Sequence, residues 1–152
     1  MSNERWNSES LSLALQGSEA AMSGALAIEL LPGADDVIVA TMAAYGDLEV
    51  IVNVGSEQIL AQVLLWPATS MKDQAAFNTM ALRTHKLMPL STFGITKGAD
   101  GQDYYELFGA LSVSSKLENI LLELDVLAAN AIEAVQAYSC LLYTSPSPRD
   151  RS

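Results

Sequence analysis

The chain has 152 residues, of which 50% are hydrophobic and 17% are charged, and its formal net charge at pH 7 is -10. This length and apolar content fit one domain with its own core and argue against disorder. The acidic balance excludes nucleic acid as an expected partner, because phosphate binding needs clustered Lys and Arg, and it disfavours anionic membrane surfaces.

The N-terminal sequence MSNERWNSESLSLAL carries acidic residues and no continuous apolar run, so it does not match a secretory signal. No stretch reaches the roughly eighteen apolar residues that are typical of a membrane span. We therefore expect a cytoplasmic protein without direct membrane insertion.

The first elements in chain order are a short helix and an ambiguous segment. Ser8 or Ser10 can cap a helix that ends near Gln16. Its apolar side consists of Leu11, Leu15 and Leu13. The segment 24–31 fits a strand, but its alanine content fits a helix almost as well.

Three strands in a meander are predicted next, because apolar runs alternate with pairs of turn residues. The strands are 36–45, 48–54 and 57–66, and the turns are Gly46-Asp47 and Gly55-Ser56. Beyond Pro67 the apolar period becomes that of a helix, which begins near Asp73 and ends before Pro89. Its predicted apolar face consists of Ala76, Phe77, Met80, Thr84, Leu87 and Met88.

A hairpin and a long helix complete the predicted fold. The hairpin strands are 93–97 and 104–113, and the helix spans 115–138 with a capping box at Ser115 and Glu118. The core stripe of this helix consists of Leu117, Ile120, Leu121, Leu124, Ala128, Ala131 and Val135. We therefore predict a single α+β domain, in which a three-strand meander and a hairpin form an antiparallel sheet with N-terminal, middle and C-terminal helices packed on it.

The last thirteen residues, CLLYTSPSPRDRS, match nothing before them and contain Cys140, the sole cysteine. Back-translation of CLLYTSPSPRD reproduces the read-through of a transposase-based sequencing adapter over eleven consecutive codons. We therefore interpret 140–152 as non-native and expect it to be disordered and packed against nothing, which leaves 1–139 as the domain. Disulfides, cysteine metal sites and thiol nucleophiles are then not expected.

A family resemblance rests on four strings between Gly55 and Asn130: GSEQILAQVLLWP, AFNTMALRTHKLMPLSTFGI, DYYELFGALS and LENILLELDVLAAN. They resemble the YjfI-like family of bacterial proteins. The element order is also similar to the type III secretion chaperone fold of CesT-like and YbjN-like proteins. The family resemblance implies no established catalytic residue. It also implies a partner, because members commonly accompany a PspA-like coiled-coil protein of bacterial membrane-stress systems.

No catalytic or metal-binding constellation is predicted from the residues. His85 is the sole histidine and lies at the edge of an apolar helix face, where a solvated flank explains it. The acidic turn 100–103 lacks the ligand spacing of a calcium loop. We therefore predict that the protein is not an enzyme and has no cofactor.

The last helix carries an apolar pair opposite its core stripe. Leu122 and Val126 lie one turn apart, and Ala129 extends their line. The residues assigned to the surrounding polar face are Glu118, Asn119, Glu123, Asp125, Asn130 and Glu133. This pattern predicts a protein contact, and ordinary surface scatter explains it equally well.

Two function classes stay open. The favoured one is a non-enzymatic adaptor or chaperone-like module that uses Leu122, Val126 and Ala129 to bind a foreign protein, such as a PspA-like coiled coil, with a homodimer as a further option. The alternative is a small-molecule sensor or weakly signalled enzyme with a groove near His85 and Tyr104.

Overall fold

The computed structural model describes residues 5–33 and 36–143, and its centre is a six-stranded antiparallel sheet. The strands are β1 (Leu26–Leu31), β2 (Val37–Met42), β3 (Leu48–Val54), β4 (Gln58–Pro67), β5 (Thr92–Lys97) and β6 (Asp103–Ser112). They lie in the order β1-β2-β3-β4-β6-β5. The first four strands therefore form a meander, and the β5–β6 hairpin folds back to pair β6 with β4.

The described residues also form four α-helices. They are α1 (Ser8–Gln16), α2 (Glu19–Met22), α3 (Gln74–Thr84) and α4 (Leu117–Tyr138). Short 3-10 turns occur at Ala43–Tyr45, Ala68–Ser70, His85–Leu87 and Ser139–Leu141. The predicted class, a single α+β domain with helices on an antiparallel sheet, is confirmed.

The ambiguous segment resolves into a strand, so the meander has four strands instead of three. Helix α2 ends at Met22, and Gly24 follows with a φ of 88°, a left-handed conformation that favours glycine. Strand β1 then pairs along its whole length with β2, from Leu26 opposite Met42 to Leu31 opposite Val37. The hydrogen bonds to β2 satisfy backbone N–H and C=O groups of β1, and the helical propensity of the segment does not reveal this pairing.

The turns and caps of the first half follow local chemistry. The predicted two-residue turn before β3 is wrong, because β2 ends at Met42 and a 3-10 turn at Ala43–Tyr45 precedes Gly46 and Asp47 in the connection. Gly46 and Asp47 have φ values of 71° and 60°, which is left-handed backbone. The cap of α1 differs from the prediction. Asn7 Oδ1 accepts a hydrogen bond from the Ser10 backbone N–H at 2.7 Å, and Ser10 Oγ accepts one from the Asn7 N–H at 2.9 Å. Asn7 is therefore the N-cap, and Ser8 and Ser10 lie inside the helix.

The main core lies between one face of the sheet and helices α1 and α4. Leu11 and Leu15 of α1 are fully buried, whereas Leu13 is exposed and does not belong to the apolar side as predicted. The sheet contributes alternating residues from five strands, which include Ile38, Val50, Val52, Ile59, Val63 and Leu107. Alternation along each strand thus defines the covered face.

A second core joins α3 to the end of α4 through aromatic rings. Phe77 is at its centre, with ring centroids 5.0 Å from Tyr105 and 5.3 Å from Tyr138 in edge-on geometry. The predicted apolar face of α3 is only partly right: Phe77 is buried, but Ala76 and Leu87 are exposed. Leu87 turns outward because the helix ends at Thr84 and continues as a 3-10 turn with a different period.

All seven residues of the predicted core stripe of α4 are buried or half-buried, and the buried face extends further round the helix than predicted. The capping box at Ser115 is wrong, because that residue's N–H donates to the Ser112 carbonyl and Lys116 occupies the N-cap. The buried residues of the helix are Ile120, Glu123, Leu124, Leu127, Ala128, Asn130, Ala131 and Ala134. Glu123 and Asn130, which the sequence placed on an exposed polar face, are therefore directed toward the protein interior.

The chain beyond Ser139 is packed where it is described, which corrects the prediction for residues 140–143. Leu142 is 4% exposed and forms an isolated bridge with Met71. The Lys72 N–H donates to the Leu141 carbonyl at 3.1 Å, and the Tyr143 N–H donates to the Ser70 carbonyl at 2.9 Å. Burial of an apolar side chain is favourable whether the segment is native or comes from an adapter. Residues 144–152 of the predicted disordered tail lie outside the described residues, and the adapter origin stays a prediction.

Candidate functional site

A groove with mainly apolar walls runs beside the N-terminal half of α4, and we call it the α4 groove. Its volume is about 350 Å³. It is lined by Ala20, Ala25, Leu26, Met42, Ala44, Tyr45, Glu118, Leu121, Leu122, Leu124 and Asp125. Three of these lining residues are alanines: Ala20 in α2, Ala25 just before β1, and Ala44 in the 3-10 turn after β2. Their short side chains leave room beside the helix that a partner side chain can fill.

Leu122 lines the α4 groove and is 55% exposed. Val126 is half-buried and Ala129 is exposed, and neither belongs to the groove lining. Of the three predicted contact residues, the structure therefore places Leu122 at the groove and the other two further along the helix.

The charged residues that line the α4 groove are acidic in the described part of the chain. They are Glu118 and Asp125. The Tyr45 hydroxyl donates a hydrogen bond to Asp125 Oδ1 at 2.9 Å. This bond, together with partial burial, raises the pKa of Tyr45 above its ordinary value. The groove thus combines an apolar interior with a negative rim.

A second hollow lies on the other flank of α4, beneath a segment that we call the strap (residues 85–91). The strap connects α3 to β5 and is held on α4 by Asn130. Asn130 Nδ2 donates hydrogen bonds to the Pro89 carbonyl and to Ser91 Oγ, both at 2.9 Å. Leu90, between these two contacts, has a φ of 65°, which is unfavourable for a branched side chain. The buried amide therefore holds the strap in a specific conformation.

The hollow between the strap, β6 and α4 has a volume of about 520 Å³, and we call it the strap cavity. It is lined by His85, Lys86, Met88, Leu90, Ser91, Thr92, Phe108, Gly109, Ala110 and Glu123. Glu123 is only 5% exposed, and burial raises the pKa of its carboxyl. Among the described residues, Glu123 Oε2 and His85 Nδ1 are buried and have no hydrogen-bond partner.

His85 and Tyr104 are not brought together as the alternative prediction required. Tyr104 lies on β6 four residues before Phe108, and its hydroxyl donates to Asp100 Oδ2 at 2.8 Å in the turn after β5. It does not line the strap cavity, whereas His85 does. His85 is also half-buried instead of lying on a solvated flank, because the strap folds back beside α4.

Sequence reasoning missed Glu123 and Gly109 as neighbours. A side chain at Gly109 would overlap the Glu123 carboxyl, so the glycine on β6 provides the space that the buried acid occupies. One sequence signal was available. Glu123, Leu127 and Asn130 have the helical spacing i, i+4, i+7, so the two polar residues lie on the same face of α4 as the buried Leu127.

Among residues 5–33 and 36–143, no helix combines the length and the hydropathy needed to cross a bilayer. The same residues contain no group of three or more His, Cys, Asp or Glu side chains that could hold a metal ion.

The sheet order and the placement of the helices define an α+β domain of the YbjN-like fold. An uncharacterised protein from Methanothermobacter thermautotrophicus has a TM-score of 0.53 at 10% identity, covering 83% of this chain and 94% of that chain. YbjN from Escherichia coli has a TM-score of 0.51 at 11% identity, covering 82% and 90%. At this identity the likeness shows the fold alone.

The chain belongs to the family described as "Uncharacterized protein conserved in bacteria (DUF2170)", whose model matches residues 5–142. It is 37% identical over 102 residues to the uncharacterised protein YjfI of Escherichia coli strain K12, which covers 67% of this chain and 76% of YjfI. YjfI of Escherichia coli O157:H7 matches equally. The predicted membership of the YjfI-like family and the predicted YbjN-like fold are confirmed.

Proposed function

We propose that the protein is a non-enzymatic interaction module of the bacterial cytoplasm that binds a helical segment of another protein in the α4 groove. The observation that carries this proposal is the exposed Leu122 at an apolar groove whose charged lining is acidic. Binding of a partner that covers both the exposed leucine and the unfilled apolar space beside it is favourable, because it removes apolar surface from water.

The partner that fits is an amphipathic helix with an apolar seam flanked by Lys or Arg. Burying about 200 Å² of apolar surface contributes roughly 5 kcal/mol before ordering costs, at about 25 cal/mol per Å². The helix-in-groove mode places side chains one turn apart into the groove, next to Leu122. Basic flanking residues would lie opposite Glu118 and Asp125, which steers the approach and rejects acidic surfaces.

Charge also favours a foreign partner over a second copy. A homodimer formed through the α4 groove would set Glu118 and Asp125 of each copy against those of the other, within a chain whose formal charge is already -10. The resemblance to the YjfI-like family suggests the identity of the foreign partner, which we propose to be a PspA-like coiled-coil protein. A coiled coil presents the required apolar seam between charged flanks.

The test uses purified proteins and a matched pair of leucine variants. Leu122→Asp removes the apolar contact at the groove, and Leu82→Asp changes a leucine of α3 that is 69% exposed and does not line the groove. We expect Leu122→Asp to weaken binding of a PspA-like protein at least about tenfold, with an unchanged circular dichroism spectrum, whereas Leu82→Asp binds like the parent chain. Equal binding by folded Leu122→Asp would place the contact elsewhere.

A synthetic helix of leucine and lysine separates the groove from the identity of its partner. If this peptide binds in a Leu122-dependent manner and the PspA-like protein does not bind, the groove chemistry is right and the named partner is wrong. If neither binds, the proposed function is wrong.

A further inference from the structure

The strap cavity contains polar atoms that the described part of the protein leaves without partners. Buried donors and acceptors are paired in the great majority of cases, and an unpaired one is destabilising. Here Glu123 Oε2 and His85 Nδ1 are both unpaired and belong to residues that line one cavity. A third such atom, Trp66 Nε1, belongs to a residue of the aromatic core and lines neither hollow.

Oxygen acceptors meet above Gly109 on β6. The position that a Cβ of Gly109 would occupy is overlapped by Glu123 Oε2 and lies 3.1 Å from the Leu90 carbonyl oxygen. Both atoms accept hydrogen bonds, and an ionised carboxylate can accept several. The missing Cβ thus lets a helix carboxyl and a strap carbonyl approach the same point, and when Glu123 is ionised neither group can supply the hydrogen that the other needs.

We propose that the strap cavity binds a small molecule through a primary ammonium group, which lies between the Glu123 carboxylate and the Leu90 carbonyl. An ammonium group carries three N–H donors and a compact charge, which matches acceptors that lack donors. Met88, Phe108 and Ala110 on the cavity wall would contact the apolar body of the ligand. A volume of about 520 Å³ falls within the range of small-molecule sites, roughly 300–1,000 Å³.

The charged and titratable groups that line the cavity are one acid, Glu123 from α4, and two basic residues, His85 and Lys86 from the strap. Glu123 is buried whereas Lys86 is exposed, so the buried charged group is the carboxylate, which favours a cationic ligand. This site is independent of the proposed protein contact, because none of its lining residues belongs to the α4 groove.

The test compares three probes that each carry a short unbranched alkyl chain: n-butylammonium chloride, n-butanol and sodium butyrate. Two-dimensional NMR of the 15N-labelled full chain follows each titration. We expect saturable shifts for n-butylammonium that centre on the amides of Leu90, Ser91 and Gly109. The neutral alcohol should bind about tenfold more weakly, and butyrate should not bind.

Glu123→Gln keeps the shape of the side chain and removes its charge, and Glu49→Gln is the control for a charge lost from an exposed strand position. We expect Glu123→Gln to lose about tenfold in affinity for n-butylammonium and Glu49→Gln to bind as the parent chain does. The proposal is wrong if the parent chain shows no saturable shift, which includes the case that Lys86 occupies the carboxylate. Equal binding of n-butanol, or unchanged affinity in Glu123→Gln, also overturns it. The comparison of the three probes on the parent chain decides the question even if Glu123→Gln does not fold.

Discussion

The α4 groove and the strap cavity lie on opposite flanks of one helix, and they differ in which atoms are left without partners. In the groove, Asp125 accepts a hydrogen bond from Tyr45, and the exposed group is the apolar side chain of Leu122. In the cavity, Glu123 is buried and its Oε2 has no partner among the described residues. Two acidic residues only two positions apart thus have opposite surroundings.

The surroundings of a carboxylate, more than its presence, therefore indicate what it can bind. A paired, exposed carboxylate beside an apolar groove adds charge selectivity to a protein contact. A buried carboxylate without a donor supplies a strong point of attraction for one small cationic group.

The largest effect should come from Gly109→Ala, which tests the position of the Glu123 carboxyl. The added Cβ would overlap that carboxyl, so we expect the free energy of unfolding in urea to fall by about 3 kcal/mol. Gly17→Ala is the control, because its added Cβ would meet no neighbour closer than 3.7 Å. In a Glu123→Ala background the cost of Gly109→Ala should shrink markedly. An equal cost in both backgrounds would mean that the carboxyl does not lie on Gly109, and the contrast between the flanks would be lost.

A smaller effect should follow from Leu142→Ala, which tests how the C-terminal end of α4 is fixed. Leu142 is 4% exposed beside Met71, so its truncation should cost about 2 kcal/mol of unfolding free energy. Leu141→Ala changes the adjacent leucine, which is 41% exposed, and should cost about 0.5 kcal/mol or less. Equal stability of the two variants would support the expectation from sequence that residues 140–143 pack against nothing.

The smallest effect concerns the pH dependence of stability. Burial raises the pKa of Glu123 in the folded chain, so the folded state holds this proton to higher pH than the unfolded state does. Stability is therefore lost as pH rises from about 4 through the folded pKa of Glu123. The loss is about 1.4 kcal/mol for each pKa unit between the folded and the unfolded state. Glu106, whose pKa burial also raises, contributes with the same sign.

Glu123→Gln should remove the part of this pH-dependent loss of stability that Glu123 causes. The unfolding free energy of Glu123→Gln, measured in urea at several pH values, should rise relative to that of the parent chain as the pH increases from about 4 to 7. Glu49→Gln controls for the loss of one negative charge. A constant difference between Glu123→Gln and the parent chain across this range would show that the carboxyl is not desolvated, and the two flanks of α4 would then be electrostatically alike.

Much of the fold could be predicted from the sequence, because the signals are local. β3 occupies Leu48–Val54 as the alternation predicted. Asp73 caps α3 by accepting a hydrogen bond from the Ala76 N–H at 3.1 Å. Each of these features depends on residues that are near one another in the chain, so spacing and residue type are sufficient to recognise it.

The rest depended on tertiary structure, because its contacts join residues that are distant in the chain. Residues 26–31 became a strand because β2 was available to pair with them. Tyr45 reaches Asp125 across 80 positions, and Asn130 reaches Pro89 across 41. Glu123 is buried because a glycine on β6 leaves it space, a condition that no pattern within α4 expresses. Local sequence patterns were thus sufficient to predict most of the elements, the fold class and the family. Only the packing of those elements decided which polar groups were paired and which were left to bind something else.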